Sequence, residues 1–426
     1  MDTLDVVALL QMAILQQDLL ERNVDEAAKI KRRRRLRRYQ TRPWLSEERR
    51  RLYGHYARLM DELRVEDPQS FYNYLRMEPA MFDELVQRVG PRIHKHDTKM
   101  RKALSPGLKL AITVRFLASG DKYPSLMYSF RVARNTISVI ISEVCQAIVE
   151  EYKDEVITCP TSPEEWTPIE EVFRNRWNVP HAMGALDGKH VAIRKPAKSG
   201  SLYYNYKGFF SVVHMALVDG DYKFLWVDIS GYGSMSDAQI FNDSELKECL
   251  EDNSIGFPVL SPISEHDEAM PYFILGDDAF GIRTFMMKPY GQRNLQRDER
   301  IYNYRISRGR RVVENAFGIL AQRWQVLLTT MQPRPSIVQD IVECCVCLHN
   351  LMRIRYPTLH NGIADEEDDQ HNVVPGAWKQ LAQLEDVQHV AGGNRGTKAG
   401  KRQREILKHY FNVAGAVPWQ NRMIDG

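Results

Sequence analysis

The sequence predicts a mixed α/β domain that follows an all-helical region. Three observations lead to this fold class. Residues 68–153 carry apolar side chains at helical spacing, in segments separated by short turns. From about residue 181 the spacing changes to the pattern of β-strands. A helix, a further apolar strand and a later amphipathic helix then follow, which predicts a sheet covered by helices.

The helical region contains a pattern typical of a helix-turn-helix. A short apolar element at 124–132 precedes a longer helix through Ile137 and Ile141. In this motif the second helix enters the major groove of DNA. Arg131 and Arg134 lie near its start, so we expect them to contact DNA. A plain helical bundle that supports the next domain is the alternative interpretation.

The elements after the helical region occur in a recognisable order. They are strands at 190–194, 211–218 and 223–229, a helix from Ser236 and Asp237, a strand at 272–275, and helices at 308–330 and 337–352. The Asp219-Gly220 pair between the second and third strands is a hairpin signal. Three antiparallel strands, a helix, a fourth strand and a later helix are the order of an RNase H-like domain.

Three acidic motifs occur along this domain, each in a different setting. Asp187 lies at the end or middle of the first strand, Asp277 follows the fourth strand beside Asp278, and Glu314 lies inside the closing helix. Open α/β sheets bind ligands beyond their strand ends, so these carboxylates can meet at one site. Mg²⁺ takes oxygen ligands, and two such ions can stabilise an in-line phosphoryl displacement. The pattern predicts a metal-dependent enzyme that acts on nucleic acid.

Each carboxylate by itself has a simpler explanation. The Asp-Gly pair at 187–188 is a frequent turn sequence. One of Asp277 and Asp278 is expected to cap a helix or form a turn. Glu314 can form a surface ion pair with an arginine one turn earlier, worth only about 0.3–0.5 kcal/mol. The three motifs together favour the metal site.

Positive charge is concentrated near the N-terminus. Residues 29–64 contain 14 basic and four acidic side chains, a net charge of +10 within a chain of net charge +3. Such a block binds nucleic-acid phosphates or directs nuclear import, and the sequence does not separate the two roles. The basic residues expected to bind DNA in this block are Arg32, Arg33, Arg34 and Arg35. Those expected to position phosphates near the acidic motifs are Lys189, Lys207 and Arg311.

The remaining composition narrows the class of protein. Six cysteines without a disulfide spacing favour a reduced intracellular compartment. No apolar run approaches the roughly 18 residues of a membrane span, so no membrane partner is expected. Cys344, Cys345, Cys347 and His349 lie close together, but a structural zinc site needs two spaced pairs, so a buried helical face is favoured.

The chain resembles the PIF/Harbinger transposases, members of the DDE superfamily of endonucleases. The resemblance runs from about residue 180 to residue 353, and the motifs that carry it are 184–189, 203–211, 233–242, 275–280, 311–318 and 348–350. By position, Asp187, Asp277 and Glu314 match the metal-binding triad of that family. Asp237 also falls in a family motif; it either binds metal or caps its helix, and the cap is favoured.

The resemblance implies a nuclear transposase with two Mg²⁺ or Mn²⁺ ions in each active site. It would cut phosphodiesters at transposon ends and join the freed 3′-hydroxyls to target DNA. The resemblance also implies a Myb-like companion DNA-binding protein and assembly into a homodimer or a larger oligomer. The alternative is a domesticated derivative that binds DNA or a partner protein without transposing, and the intact acidic positions argue against it.

The expected organisation has four parts. They are an N-terminal helix and basic arm (1–67), a helix-turn-helix-like DNA-binding domain (68–160), an RNase H-like nuclease domain (161–355) and a mobile acidic and glycine-rich C-terminal region (356–426). Within the last part, residues 401–411 are expected to form a short helix.

Overall fold

The computed structural model describes residues 41–99, 102–264, 268–291, 294–357, 363–380, 382–387 and 396–425. The basic block with Arg32, Arg33, Arg34 and Arg35 therefore lies outside the described residues. Within the described ranges, no single helix is long and apolar enough to cross a membrane, although one bent pair of helices passes by length and composition.

Helices α1 to α8 precede the sheet. They are α1 (Glu47–Tyr53), α2 (Leu59–Glu66), α3 (Pro68–Leu75), α4 (Pro79–Ile93), α5 (Pro106–Ser119), α6 (Tyr123–Phe130), α7 (Arg134–Val156) and α8 (Pro163–Asn175). Proline in the first turn recurs because its missing N–H needs no partner there. In α5, the Ser105 hydroxyl accepts the N–H of Leu108 at 3.4 Å. Gly120, with φ of 66°, ends the same helix.

Helices α6 and α7 form the predicted order of short helix, turn and longer helix. They are joined by residues 131–133 and their axes are bent by 100°. The apolar side of α7, which includes Ile137 and Ile141, is buried among neighbouring helices. Arg134 and Asn135 are exposed at its first turn. DNA contact through this turn stays a prediction.

The sheet has the mixed topology that the sequence order predicted. Five of its six strands are β1 (Ala182–Ala192), β2 (Ser211–Val218), β3 (Phe224–Tyr232), β4 (Phe273–Leu275) and β5 (Met286–Met287), and the sixth belongs to the C-terminal residues. The spatial order is β3-β2-β1-β4-β5. Strand β2 is antiparallel to β1 and β3, whereas β4 runs parallel to β1 and β5 parallel to β4. This is the arrangement of an RNase H-like sheet.

Strand β1 begins at Ala182, well before the alternation at 190–194 that predicted it. Residues 182–191 are buried on both faces of the strand. A strand covered by helices on both sides shows no alternation of polar and apolar residues, which explains the late predicted start. The predicted hairpin after β2 is confirmed, and Asp219 Oδ1 accepts the N–H of Lys223 at 2.8 Å.

The later helices differ in extent from their predictions. They are α9 (Asp237–Asn242), α10 (Glu245–Glu251), α11 (Arg297–Arg323) and α12 (Pro335–Arg355). The single helix predicted from Ser236 is two short helices, because Ser244 starts a second one by accepting the N–H of Lys247 at 3.3 Å. Helix α11 was predicted at 308–330 but begins at Arg297, where acidic residues in the first turn favour a helix start.

Two apolar cores lie on opposite faces of the sheet. Alternate side chains of β2 divide between them, with Val212, Ala216 and Val218 in one core and Val213, Met215 and Leu217 in the other. The first core includes α7, α11 and α12 and continues through the helical region. The second lies between the sheet and α8, α9 and α10. The predicted division of the chain into four parts stays a prediction.

The described C-terminal residues pack against the sheet domain. Their elements are β6 (Glu366–Glu367), β7 (Val373–Val374), β8 (Glu385–Asp386), α13 (Lys398–Asn412) and α14 (Gln420–Asp425). Helix α13 agrees with the short helix predicted at 401–411. Composition predicted a mobile linker from the acidic cluster at 365–369 and the glycines at 392–400; residues 388–395 lie outside the described ranges, and the mobility stays a prediction. Asn315 Oδ1 accepts both the N–H of Asp365 at 3.1 Å and the indole N–H of Trp378 at 2.9 Å. These contacts fix residues 363–380 along α11.

Candidate metal centre

Carboxylates from three separate elements meet beside the end of β4. Asp187 lies on β1, Asp237 is the first residue of α9, and Asp277 follows β4. All three are buried, and one oxygen of each lies within 4.8 Å of the other two. Clustered carboxylate oxygens are the ligands that Mg²⁺ and related hard cations take in proteins.

The parallel pairing of β1 and β4 brings two of these residues together. Leu275, the last residue of β4, pairs with Ala185. Asp187 and Asp277 each follow this pair by two residues, so the two aspartates lie side by side. Asp187 is thus in the middle of its strand, one of the two predicted positions, at the point where the neighbouring strand stops. An open place beside a strand end is where α/β sheets bind ligands.

Gly188 makes room for the third carboxylate. A Cβ at this position would lie 2.0 Å from Oδ1 of Asp237, so any other residue would push this carboxylate from its present place. The Asp-Gly pair at 187–188 is therefore not a turn, because both residues lie within β1. The glycine lets α9 approach the sheet closely enough for Asp237 to join the cluster.

Asp237 is not the cap of its helix, which corrects the interpretation that the sequence favoured. Ser236 occupies the cap position, and its N–H donates to Oε1 of Gln239 at 3.0 Å. Asp237 lies one residue further on and is 1% exposed beside Asp187 and Asp277. Sequence spacing could not separate the two roles, because Ser236 and Asp237 are both good capping residues.

Glu314 lies on α11 and lines the same cleft, but it is not part of the close group of three. Burial raises the pKa of Glu314 and the carboxylate of Asp187 raises it further, while Arg310 opposes the shift. The sequence triad is thus brought to one cleft. Among the described residues, the carboxylate that joins Asp187 and Asp277 within 4.8 Å is that of Asp237.

The cleft has a volume of about 570 Å³ and a polar lining. Asp278 is exposed at its edge, and its backbone oxygen accepts a hydrogen bond from Lys288 Nζ at 2.8 Å. Asp277 Oδ1 accepts the N–H of Ala279 at 3.0 Å. Of Asp277 and Asp278, one was expected to form a turn, and Asp277 both forms it and joins the cluster. The cleft is also lined by Lys189, Arg310, Gln322, Glu385 and Asp386.

Two of the three predicted phosphate ligands are near this cleft. Lys189 Nζ lies 2.8 Å from Oδ2 of Asp187 and also pairs with Asp386. Burial alone would lower the pKa of Lys189, but these two carboxylates raise it above its ordinary value. Lys207 pairs with Glu385. Both ammonium groups are therefore held in contact with acidic side chains of β8.

Arg311 is not where the sequence predicted it. It pairs with Glu367 at 3.2 Å and is not among the residues that line the acidic cleft. Arg310 lines the cleft instead. Adjacent residues on a helix point about 100° apart, so the choice between them depends on how α11 is rotated against the sheet.

The arginines near the helix-turn-helix pattern have different environments. The Arg131 guanidinium lies over the Trp44 ring at 5.4 Å and near Tyr53 at 6.0 Å. Its backbone oxygen accepts a hydrogen bond from Arg50 Nε at 3.2 Å. Arg134 is exposed. Arg131 thus makes packing contacts within the protein, whereas Arg134 is accessible to a ligand.

The cysteine group on α12 has the environment of a helical core. Cys344, Cys345 and Cys347 are buried, and burial raises the pKa of each thiol. His349 Nε2 lies 2.8 Å from the backbone oxygen of Tyr222, and burial lowers the pKa of His349 to about 3. Protonated thiols and a histidine bonded to backbone agree with the favoured buried face.

A comparison of the sequence with known proteins finds an endonuclease family and proteins named as nucleases. Residues 186–350 match the family described as DDE superfamily endonuclease. The chain is 26% identical over 306 residues to "Putative nuclease HARBI1" of Xenopus laevis, covering 70% of this chain and 83% of that protein. It is 24% identical over 293 residues to "Protein ALP1-like" of Arabidopsis thaliana, covering 67% and 71%.

The protein named HARBI1 in Mus musculus is 24% identical over 369 residues, which covers 85% of this chain and 96% of that protein. No solved structure matches the chain. The matched segment contains Asp187, Asp237, Asp277 and Glu314. As its motifs predicted, the chain carries a DDE superfamily endonuclease domain and is a homologue of the Harbinger transposase-derived nucleases.

Proposed function

We propose that the protein is a divalent-cation-dependent DNA endonuclease. The observation that carries the proposal is the convergence of buried Asp187, Asp237 and Asp277, with Glu314 on the same cleft. Buried carboxylates at this spacing repel one another unless a cation or a proton compensates them. A cleft that keeps such an excess of negative charge is suited to binding metal rather than to stabilising the fold.

The residues of the cleft have distinct roles in this proposal. Asp187, Asp237 and Asp277 hold Mg²⁺ or Mn²⁺, and their oxygen donors fit one or both ions of a two-ion site. Cations at such a site supply charge stabilisation to a phosphodiester and lower the pKa of attacking water. Glu314 holds a proton more readily than an exposed glutamate, because burial raises its pKa. Lys189 extends to the same place and suits a phosphate oxygen.

Strand transfer belongs to the same proposal. Hydrolysis and the joining of a 3′-hydroxyl to target DNA are both in-line displacements at phosphorus and differ only in the nucleophile. The resemblance to PIF/Harbinger transposases supports this step, together with a Myb-like companion protein and a homodimer or larger oligomer. The basic block at 31–38 supports a nuclear location and DNA binding.

The helical region supplies a second DNA contact in this proposal. The first turns of α7 expose Arg134, Asn135 and Ser138 on one side of the helix. The short helix before it and the bend of 100° agree with the geometry in which a second helix reaches base edges. Replacement of Arg134 by alanine is expected to weaken duplex binding without changing the metal centre.

A second candidate function is DNA or protein binding without transposition. The observation that favours it is the acidic strand β8, which pairs with β1 and forms part of the cleft wall. A cleft that is partly filled by the chain itself is compatible with a protein that binds but does not cut. The intact carboxylate cluster favours the endonuclease.

The test is cleavage of labelled duplex DNA that carries the terminal sequences flanking the gene. Wild-type protein is compared with Asp187→Asn, Asp237→Asn, Asp277→Asn and Glu314→Gln, in Mg²⁺, in Mn²⁺ and with EDTA. Metal-dependent nicking that is lost in the aspartate variants is the expected result. Duplex binding without nicking by the wild type, with or without a companion protein, would instead establish the binding function.

A further inference from the structure

Residues 382–387, which we call the strap, lie along β1 beside the metal centre. Within the strap, β8 pairs antiparallel with β1, so that Asp386 is opposite Lys189 and Glu385 is opposite His190. Strand β4 pairs with β1 only at Ala182 and Ala185. The strap therefore adds a strand to the part of β1 that β4 leaves without a neighbour on that side.

The acidic side chains of the strap contact the two cations that suit phosphate. Asp386 pairs with Lys189, and Glu385 pairs with Lys207. The hydroxyl of Tyr206 also donates to the backbone oxygen of Asp386 at 3.3 Å. A carboxylate and a phosphate oxygen satisfy a lysine in the same way. The strap thus places two negative groups where a nucleic-acid backbone would place its own.

The strap also forms a wall of the cleft. Residues 382–386 line it together with Asp187, Asp277 and Glu314. Lys189 Nζ is in contact with the Asp386 carboxylate, so a phosphate that replaces this contact takes the place of that carboxylate. Substrate and strap therefore compete for one place.

The attachment of the strap is limited in extent. Val387 is buried among apolar residues of the second core, and Gln322 Nε2 donates to the backbone oxygen of Ala382 at 3.0 Å. Between these two anchors the backbone ladder that joins β8 to β1 is only two residues long. The side chains of Glu385 and Asp386 are 54% and 60% exposed. Short ladders with exposed side chains belong to the least stable elements of a fold.

We propose that the strap is an autoinhibitory element that competes with nucleic acid for Lys189 and Lys207 and leaves β1 when substrate binds. The inference rests on the proposed function, since it assigns a regulator to the same cleft. Both carboxylates of these pairs are exposed to water, whereas a duplex offers many phosphates to the surrounding cations. Nucleic acid can therefore displace the strap, while weak or incidental anions do not.

The first test measures DNA affinity without metal, so that it does not depend on cleavage. Binding of a fluorescent duplex in EDTA is followed by anisotropy for wild type and for Glu385→Gln/Asp386→Asn. The control is Glu164→Gln/Glu171→Gln on α8, which makes the same charge change at exposed positions outside the cleft lining. Removal of the two strap carboxylates, which frees both lysines for phosphate, is expected to tighten binding about tenfold relative to the control.

The second test uses the unaltered chain. Amide hydrogen exchange of peptides covering the strap is compared with and without duplex, and β3 serves as the internal reference. Exchange in the strap is expected to accelerate on binding while β3 stays unchanged. Strap protection that persists in the bound state, or equal affinities of the strap and control variants, would overturn the inference.

The outcomes separate this inference from the proposed function. If the strap variant binds more tightly but wild type and variant never nick DNA, the strap is an inhibitory element of a binding protein and the endonuclease proposal fails. If the wild type nicks DNA with metal and the strap variant matches the control in affinity and rate, the endonuclease stands and the strap inference fails.

Discussion

The two sides of α11 carry buried charge of opposite kinds. One side presents Glu314 to a cleft that already holds Asp187, Asp237 and Asp277. The other side presents Arg308, whose guanidinium lies 2.7 Å from Oε2 of Glu367 and also donates to the backbone oxygen of Trp177 at 3.1 Å. The first cluster has an excess of one sign, and the second is an ion pair with additional hydrogen bonds.

The difference separates a functional cluster from a structural one. Buried opposite charges with satisfied hydrogen bonds hold a fold in one arrangement, and removing one partner is strongly destabilising. Buried like charges cost free energy and persist where function uses them. Helix α11 therefore has one side that faces the acidic cluster proposed to bind a cation and another that pairs with the C-terminal residues.

The largest expected effect comes from a neutral replacement in the acidic cluster. Asp277→Asn should reduce metal-dependent nicking by about a thousandfold or more, because several kcal/mol of transition-state charge stabilisation are lost. Without metal, its free energy of unfolding should equal or exceed that of the wild type, because a like charge is removed. Single-turnover nicking and urea denaturation in EDTA measure the two quantities. A destabilised, active variant would show that the cluster is structural.

The structural cluster is expected to behave in the opposite way. Glu367→Gln leaves the buried Arg308 without a charge partner and should lower the free energy of unfolding by about 3 kcal/mol. Nicking by the folded fraction should be unchanged. Denaturation and nicking below the unfolding transition check both points. Equal stability of variant and wild type would remove the contrast between the two sides.

The Glu367 pair also has a defined pH dependence. Burial alone would raise the pKa of Glu367, but the hydrogen bonds and charge of Arg308 lower it below its ordinary value of 4.5. The pair therefore stabilises the fold above about pH 4.5 and loses this contribution as the pH falls through the lower folded-state pKa. Glu367→Gln should be less sensitive to pH in this window, which denaturation at stepped pH measures.

Added metal should raise the free energy of unfolding only through the acidic cluster. Mg²⁺ at a hundred times its dissociation constant should raise the free energy of unfolding by about 2.7 kcal/mol. Asp187→Asn should lose most of this gain, and Glu367→Gln should keep it in full. Thermal unfolding over a series of Mg²⁺ concentrations measures the effect. An equal gain in both variants would mean that the cation binds elsewhere.

The smallest effect concerns two neighbouring residues whose roles, helix cap or metal ligand, the sequence could not tell apart. Ser236→Ala removes the cap of α9 and should cost about 1 kcal/mol of stability, with the Mg²⁺ gain retained. Asp237→Asn should retain stability without metal and lose part of the Mg²⁺ gain. Thermal unfolding with and without Mg²⁺ distinguishes them. A reversed pattern would restore the cap interpretation of Asp237.

Local sequence predicted much of the fold because neighbouring residues encode it. The hairpin at Asp219, helix α12 and the fourth strand follow from turn residues and periodicity over short segments. The predicted ends of strands and helices were less accurate where the pattern of polar and apolar residues is weak. Strand β1 is buried on both faces over 182–191 and so shows little alternation. The first part of α11 carries its buried Ile301, Tyr302 and Ile306 among charged residues, which obscures the helical pattern.

The candidate site divides in the same way. The motifs indicated Asp187, Asp277 and Glu314, and the structure brings all three to one cleft. The position of Asp237 depends on the approach of α9 over Gly188, which is a contact between elements distant in sequence. The placement of Arg310 in the cleft and of Arg311 against Glu367 depends on the rotation of α11.

The sequence by itself determined the order of strands and helices, the acidic motifs and the class of chemistry that they suit. Short-range periodicity, capping residues and turn pairs carry that information within a few positions of each other. Tertiary structure alone decided which carboxylates form one cluster and where β8 lies against β1. Those contacts join residues up to 197 positions apart, as between Lys189 and Asp386. Only the packing of the whole chain brings such residues together.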